Sequence, residues 1–375
     1  MTEKKSEGGG GLRGQSAGET ALCTVGKAGT GLTYRGYDVR DLAAQCEFEE
    51  VAYLLLYGEL PDRSALDAYK RRLAGLREIP PAAKAVLEQI PADAHPMDVM
   101  RTGCSMLGTL ETETDFSQQG DVADRLLAVF PSIITYWYRY SHDGVRIDTD
   151  SDEDSIGAHF LYLLRGERPN ELHKSVMHVS LILYAEHEFN ASTFAARTCA
   201  STLSDMHSAI TGAIGTLRGP LHGGANEAAM EMLEQWSSPE EARAGLQGVF
   251  ERKEKVMGFG HAIYKDVDPR NAVIKEWSRR LAEEADDDTL FPVSEAVEQK
   301  MWDDKGLFAN ADFYHASAYR FMGIPTKLFT PIFVMSRHSG WAAHVMEQRA
   351  SNRIIRPSAD YTGHDLRSVP PIDER

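Results

Sequence analysis

Glu49-Glu50-Val51-Ala52-Tyr53-Leu54-Leu55-Leu56-Tyr57-Gly58 is the stretch that decides the fold class. Val51, Leu54 and Leu55 recur at helical spacing among good helix formers, Gly58 supplies a stop, and Pro61 follows. The same period recurs outward from this stretch. Ser238-Pro239-Glu240-Glu241 has the form of a capping box: serine as N-cap, proline at the first helical position, glutamate at the third. Asp268-Pro269-Arg270 opens a helix with Ile274, Trp277 and Leu281 on one face, and Thr330-Pro331 opens another through Val334 and Trp341. The longest apolar run, Leu126 to Tyr138, is interrupted by Pro131 and falls short of the ~20 residues of a membrane span. It reads as a buried helix pair. Strand-type alternation is confined to Ala21 to Tyr34, which predicts a short hairpin. The chain is expected to be mainly α.

The 375 residues exceed the ~250–300 at which single cores stop growing. With 42% hydrophobic residues, the chain can cover a large core. Punctuation at Gly219-Pro220 and near Gly323 to Pro325 divides it: a large helical domain of 20–220 plus 324–375, and an inserted small domain of 221–323. A cleft between them is the natural place for a site. Residues 1–19, with Gly8 to Gly11 and no apolar signal region, read as a disordered tail. The net charge of -16 excludes general nucleic-acid binding, which needs a basic face. Cys23, Cys46, Cys104 and Cys199 are scattered, with no zinc spacing, which reads as reduced cysteines in a cytoplasmic protein. The acidic run Asp148, Asp150, Asp152, Asp154 imitates a calcium loop but has Glu153 where glycine is needed, and reads as a solvated loop.

Three segments could carry chemistry. Gly219-Pro220-Leu221-His222-Gly223-Gly224-Ala225-Asn226 holds a histidine on bare backbone that a ligand can approach closely, although such a histidine can equally cap a carbonyl. Gly258-Phe259-Gly260-His261 is expected to leave backbone N–H and C=O groups exposed for a flat heteroaromatic edge. Lys253, Lys255 and Lys265 flank it as a local basic patch suited to nucleotide phosphates. Arg270 follows in a first helical turn, where an anion is favoured. Asn310-Ala311-Asp312-Phe313-Tyr314-His315 puts Asp312 at a helix start, where the dipole should keep it ionised as a general base or a mere cap. Asp312 and His315 could share a metal, but nothing supplies the remaining ligands. Two glycine-flanked histidines and an aspartate suit proton abstraction beside a carbonyl, with neutral imidazoles holding the enolate and arginines gripping a dicarboxylate.

Beyond these motifs, Tyr34-Arg35-Gly36-Tyr37, His95-Pro96-Met97-Asp98, Ala185-Glu186-His187-Glu188-Phe189-Asn190-Ala191-Ser192-Thr193 and Ile354-Ile355-Arg356-Pro357-Ser358 occur in family order with compatible spacing. From about Ala21 to Ile372 the chain resembles the citrate synthase family. The stretches from Ala21, His95, Tyr136 and Ala185 resemble its 2-methylcitrate synthase branch more closely. The resemblance implies an α-helical homodimer whose small domain closes over the site. By it, His222 holds the acyl-CoA thioester oxygen, His261 polarises the oxaloacetate ketone, and Asp312 takes the α-proton. His187, Arg270 and Arg337 match oxaloacetate-binding positions, and Arg356 matches an arginine supplied by the neighbouring subunit. Lys255, Val256, Met257, Gly258, Phe259 and Gly260 match the segment that reads the CoA adenine, with Lys265 near its phosphates. The implied reaction joins propionyl-CoA, oxaloacetate and water into 2-methylcitrate and CoA, with acyl-CoA as a substrate and neither cofactor nor metal. Acetyl-CoA is the alternative substrate. A CoA-sensing protein without turnover would leave His222, His261 and Asp312 idle.

Overall fold

The computed structural model describes residues 12, 14–26 and 31–375. Sixteen α-helices lie among them, with one small antiparallel sheet near the N-terminus. Its strands, Cys23–Val25, Leu32–Tyr34 and Tyr37–Asp38, follow chain order, with Cys23 opposite Tyr34 and Tyr34 opposite Tyr37. The hairpin expected over Ala21 to Tyr34 is present on both flanks, and its turn, 27–30, lies outside the described residues. The fold is mainly α, as the periodicity requires.

Helix Phe48–Tyr57 buries Val51, Leu54 and Leu55 and ends on Gly58 at φ 104, a left-handed cap that a side chain would strain. Ser238 caps helix Pro239–Glu251 through the Glu241 N–H, while the Glu241 carboxylate reaches one residue further back, to Ser237. The buried helix pair expected around Pro131 is a single helix, Gln119–Asp143. An interior proline costs roughly 3 kcal/mol. Burial of Leu126, Leu127, Val129, Phe130, Ile133 and Ile134, each contributing ~1.5–3 kcal/mol, more than offsets it. Helix Phe329–Ala350 is buried along most of its length and packs against Gln119–Asp143, Glu171–Tyr184 and Ala191–Ser201. It forms the spine of the molecule. Helices Ala225–Leu233, Pro239–Glu251, Asn271–Glu284, Leu290–Lys305 and Ala311–Phe321 pack chiefly on one another, and Asn271–Glu284 and Ala311–Phe321 also touch Glu171–Tyr184.

The acidic run is spent locally: Asp154 pairs with Lys70, Asp152 with Arg168, and Asp148 accepts the Asp150 N–H. All four cysteines are free thiols. Among the described residues no helix is long and apolar enough to cross a membrane. Residues 12 and 14–18 of the expected tail lie against the cavity described next, while 1–11 and 13 are outside the described residues.

Candidate active site

A cavity of about 850 Å³ is lined by His187, His222, Gly260, His261, Arg270, Asp312 and Arg337. These come from five separate chain segments that the sequence singled out. A second hollow of about 650 Å³, by Lys275 and Trp302, contains none of them.

His222 and His261 are each fixed by groups that also set the tautomer. The Ser192 backbone N–H donates to His222 Nε2 at 3.3 Å, and the Ser192 hydroxyl lies 2.8 Å from the same nitrogen. A backbone N–H can only donate, so Nε2 accepts and the proton of the neutral ring sits on Nδ1. His261 is set the opposite way. Its Nδ1 accepts the backbone N–H groups of Ile263 and Tyr264 at 3.1 and 3.2 Å, which leaves the proton on Nε2. Burial, with Arg337 adding to it, pushes the His222 pKa down to about 4. Burial and then Arg270 push His261 down to about 4 as well. Both rings are neutral donors near pH 7. His187 lies 5.1 Å from the His261 ring and 3.2 Å from the Tyr264 hydroxyl, and burial, with Arg270, holds its pKa well below the usual value.

Asp312 is in the first turn of helix Ala311–Phe321, capped by Asn310. The expected effect of the helix dipole does not win there. Burial raises the Asp312 pKa, and the hydrogen bond from the Tyr184 hydroxyl at 2.5 Å opposes that only in part. Desolvation of a buried carboxylate outweighs half a charge at a helix end. His315 turns away from the cavity, bonding the Ala311 carbonyl at 2.6 Å and stacking on Tyr184, so the two do not form a metal pair.

The arginines differ from one another. Arg270 is the N-cap of helix Asn271–Glu284 rather than within its first turn, and Asp268 takes its Nε and Nη2 at 2.9 and 2.7 Å. Its bidentate edge is therefore already used, because a fully buried Asp268 needs a counter-charge. Arg337 donates Nε to the Tyr184 carbonyl at 2.7 Å and lies 4.7 Å over the Phe333 ring. Among the described residues its two Nη groups have no protein acceptor, so this arginine offers the freer fork. Arg356 is exposed beyond the last long helix and does not line this cavity.

The GFGH backbone departs from expectation. Gly258 and Gly260 hold φ 85 and 70, so glycine is required, but their polar groups are largely spent. The Gly258 carbonyl accepts the Asn310 N–H at 2.9 Å, the Gly260 N–H goes to the Phe308 carbonyl at 2.8 Å, and the Gly260 carbonyl takes Asn310 Nδ2 at 3.0 Å. The glycines join this loop to the Asp312 helix instead of lying open. Of the segment from Lys255 to Gly260, only Gly260 lines the cavity. Val256, Met257 and Phe259 are half-buried, and Lys255 and Lys265 are exposed away from it. Sequence reading missed Tyr184, Ser192, Tyr264, Asp268 and Phe333 as supports. Ser192 and Asp268 stood inside noted motifs and Tyr264 closes the GFGHAIY stretch, and none of these residue types announces a supporting role.

A family profile described as "Citrate synthase, C-terminal domain" matches residues 11–358. The chain belongs to the citrate synthase family. It is 70% identical over 375 residues, 100% of both chains, to a 2-methylcitrate synthase of Shewanella oneidensis. It is 42% identical over 351 residues to citrate synthase 2 of Bacillus subtilis, covering 92% of this chain and 93% of that one. Among solved structures, a ternary complex of carboxymethyl coenzyme A and oxaloacetate with the citrate synthase of Thermoplasma acidophilum matches with a TM-score of 0.90. That protein is 31% identical, with 100% of both chains covered.

Buried neutral histidines give this protein a pH signature. The folded values of His222 and His261, about 4, lie below the ordinary 6.5. Between those values the unfolded chain binds protons that the folded protein refuses. The stability from these two groups is whole above 6.5 and is lost as pH falls toward 4. Urea midpoints at pH ~7 and ~5 should show wild type losing more stability than a His222→Asn, His261→Asn double variant. Equal losses would mean that these rings are not held neutral.

Proposed function

We propose that the protein is a 2-methylcitrate synthase, condensing propionyl-CoA with oxaloacetate and water to give 2-methylcitrate and CoA. The observation that carries the chemistry is the pair of opposite tautomers, His222 donating from Nδ1 and His261 from Nε2, in one cavity with the Asp312 carboxylate. The 70% identity to a 2-methylcitrate synthase supports propionyl-CoA as the acyl donor. Propionate catabolism through a methylcitrate cycle, in the cytoplasm, is the setting that this reaction fits.

In this reading Asp312 takes the α-proton of the thioester, and the charge moving onto the thioester oxygen is met by His222 Nδ1–H. The α-carbon then bonds to the ketone carbon of oxaloacetate, whose oxygen is polarised and protonated by His261 Nε2–H. Water cleaves the thioester and releases CoA. A raised Asp312 pKa makes its carboxylate a stronger base, and fixed donors need no reorganisation as charge develops. Arg337, Arg270 and His187 hold the dicarboxylate, with Arg337 giving the fork and Arg270 its remaining Nη1. Lys255, Val256, Met257, Gly258, Phe259, Gly260 and Lys265 bind the CoA nucleotide as residues 221–323 close on residues 20–220 and 324–375. Acyl-CoA is a substrate, and no cofactor or metal takes part.

The competing reading is acetyl-CoA condensation, and the 42% identity to a citrate synthase favours it as a side activity. One methylene is worth only ~1–3 kcal/mol, so both substrates should release CoA, with kcat/KM about 10–200-fold higher for propionyl-CoA. A thiol-trapping assay with each acyl-CoA decides. Preference for acetyl-CoA would move the protein to citrate synthase, and no CoA release from either would leave a CoA-binding protein.

Asp312→Asn keeps the shape of the side chain but cannot accept the proton. Turnover should fall by about 10²–10⁴-fold with oxaloacetate affinity retained. A loss smaller than about tenfold would remove Asp312 from the role of base.

Arg356 is proposed to act across a homodimer, since it is exposed and away from the cavity of its own chain. Arg356→Ala and His222→Ala homodimers should both be nearly inactive. Refolded together, they form mixed dimers in which the subunit with intact His222 receives intact Arg356. Activity should return to about a quarter of wild type per site, because half the dimers are mixed and each has one whole site. No recovery means that Arg356 does not serve the neighbour.

A further inference from the structure

The chain ahead of the first strand is part of the cavity. Gly14, Gln15, Ser16, Ala17, Gly18 and Thr20 all line it, opposite motifs more than 160 residues later in the sequence. This segment has no helix or strand of its own, so its position depends on what holds it. Fixing each residue's backbone costs ~1–2 kcal/mol, and specific contacts must offset that.

Two such contacts are present. The Ala21 N–H donates to Glu347 Oε1 at 2.8 Å, and Glu347 stands near the end of helix Phe329–Ala350. The other Glu347 oxygen takes Arg197 at 2.6 Å, and that guanidinium lies 4.6 Å over the Phe189 ring. A Cβ on Gly18 would come within 3.3 Å of the same ring, so the backbone there is already in close contact with Phe189. Segment, peg and ring form one assembly. Phe189 also belongs to the 187–194 stretch, which bends at Glu188 with φ 53 and carries the Ser192 that fixes His222. Further on, a Cβ on Gly26 would fall 2.8 Å from Ile263 and one on Gly31 3.0 Å from Pro269, within the segment carrying His261 and Arg270.

We propose that residues 14–20, pegged by Glu347, are a substrate-positioning wall that braces the 187–194 stretch around the bound acyl-CoA and oxaloacetate. The proposal rests on the condensation reading and extends it to a part of the chain that carries none of the reacting groups. Ser192, which fixes His222, is also held by Trp341 Nε1 at 3.1 Å, so losing a wall that contacts bound substrate and transition state alike raises KM and leaves kcat nearly unchanged. Glu347 and Gly18 are positioning residues, since neither touches the reacting atoms in this scheme.

The test compares the full chain with a chain lacking residues 1–18, which removes the contact with Phe189, and with Gly18→Val in the full chain, whose Cβ alone comes within 3.3 Å of that ring. Amide hydrogen exchange over 187–194 is read by mass spectrometry, beside KM for each substrate, kcat and Tm. Both variants should exchange there about tenfold faster, with KM for at least one substrate up about fivefold or more, kcat within about twofold, and Tm unchanged. Unchanged exchange overturns the proposal, and so does faster exchange with both KM values unmoved. If the truncated chain unfolds, Gly18→Val decides. If the full chain releases no CoA from either acyl-CoA, the condensation reading falls, while exchange still reports whether the wall braces 187–194.

Discussion

The carboxylate of Asp268 is the joint on which the geometry of the cavity depends. It is fully buried and spends both oxygens: Oδ1 on the Arg270 N–H and Nε, Oδ2 on Arg270 Nη2 and the Ala311 N–H. One side chain therefore holds an arginine in the cavity and anchors the first turn of the helix that carries Asp312. The Asn310 bonds to Gly258 and Gly260 reinforce the same junction from the other side. Burial works against the charge on Arg270, but Asp268 outweighs it and raises the arginine's pKa. Removing one partner of such a pair leaves the other charged, buried and alone, which is why these two have to be read as a unit.

A second layer of support comes from Tyr184. Its hydroxyl donates to Asp312, its carbonyl accepts Arg337 Nε, and its ring stacks on His315 and packs 4.2 Å from Phe333. Phe333 in turn underlies Arg337 and meets the His222 ring edge-on at 6.5 Å. Asp312, Arg337 and His222 are thus tied through two aromatic side chains, both carried on helices. Positions set by packed rings on helices are held more tightly than positions set by flexible side chains.

Much of this was legible in the sequence, and the limits are physical. Helical period and terminal signals predicted Phe48–Tyr57 and Pro239–Glu251, because those rest on local chemistry. They failed at Pro131, where burial on both sides keeps Gln119–Asp143 continuous against the local preference of proline. The motifs singled out His222, His261, Arg270 and Asp312 among the residues that reach the cavity, and the family resemblance added His187 and Arg337. They could not name what orients those residues. Asp268 read as a helix opener, Ser192 was only one position of a longer motif and Tyr184 stood outside every motif, and each acquires its role from partners far away in the chain. The same limit explains the GFGH loop. Its glycines were expected to leave backbone groups open, but they are needed for their backbone angles and their hydrogen bonds run to Phe308 and Asn310, which no local pattern reveals.

One cause runs through all of the cavity's electrostatics. Exclusion of water lowers the histidine values, raises that of Asp312 and works against the arginines. Left to itself, such a site would neutralise every group it contains. The structure opposes that selectively. Arg270 is given a full counter-charge by Asp268, and Arg337 a carbonyl and an aromatic face. Asp312 is given a single hydroxyl, and His222 and His261 only backbone N–H groups and a serine hydroxyl. The cations therefore stay charged for an anionic partner, the histidines stay neutral donors, and the aspartate is left with a raised pKa. That ordering of support, strongest for the arginines and weakest for Asp312, is what the proposed enolisation beside a bound dicarboxylate requires.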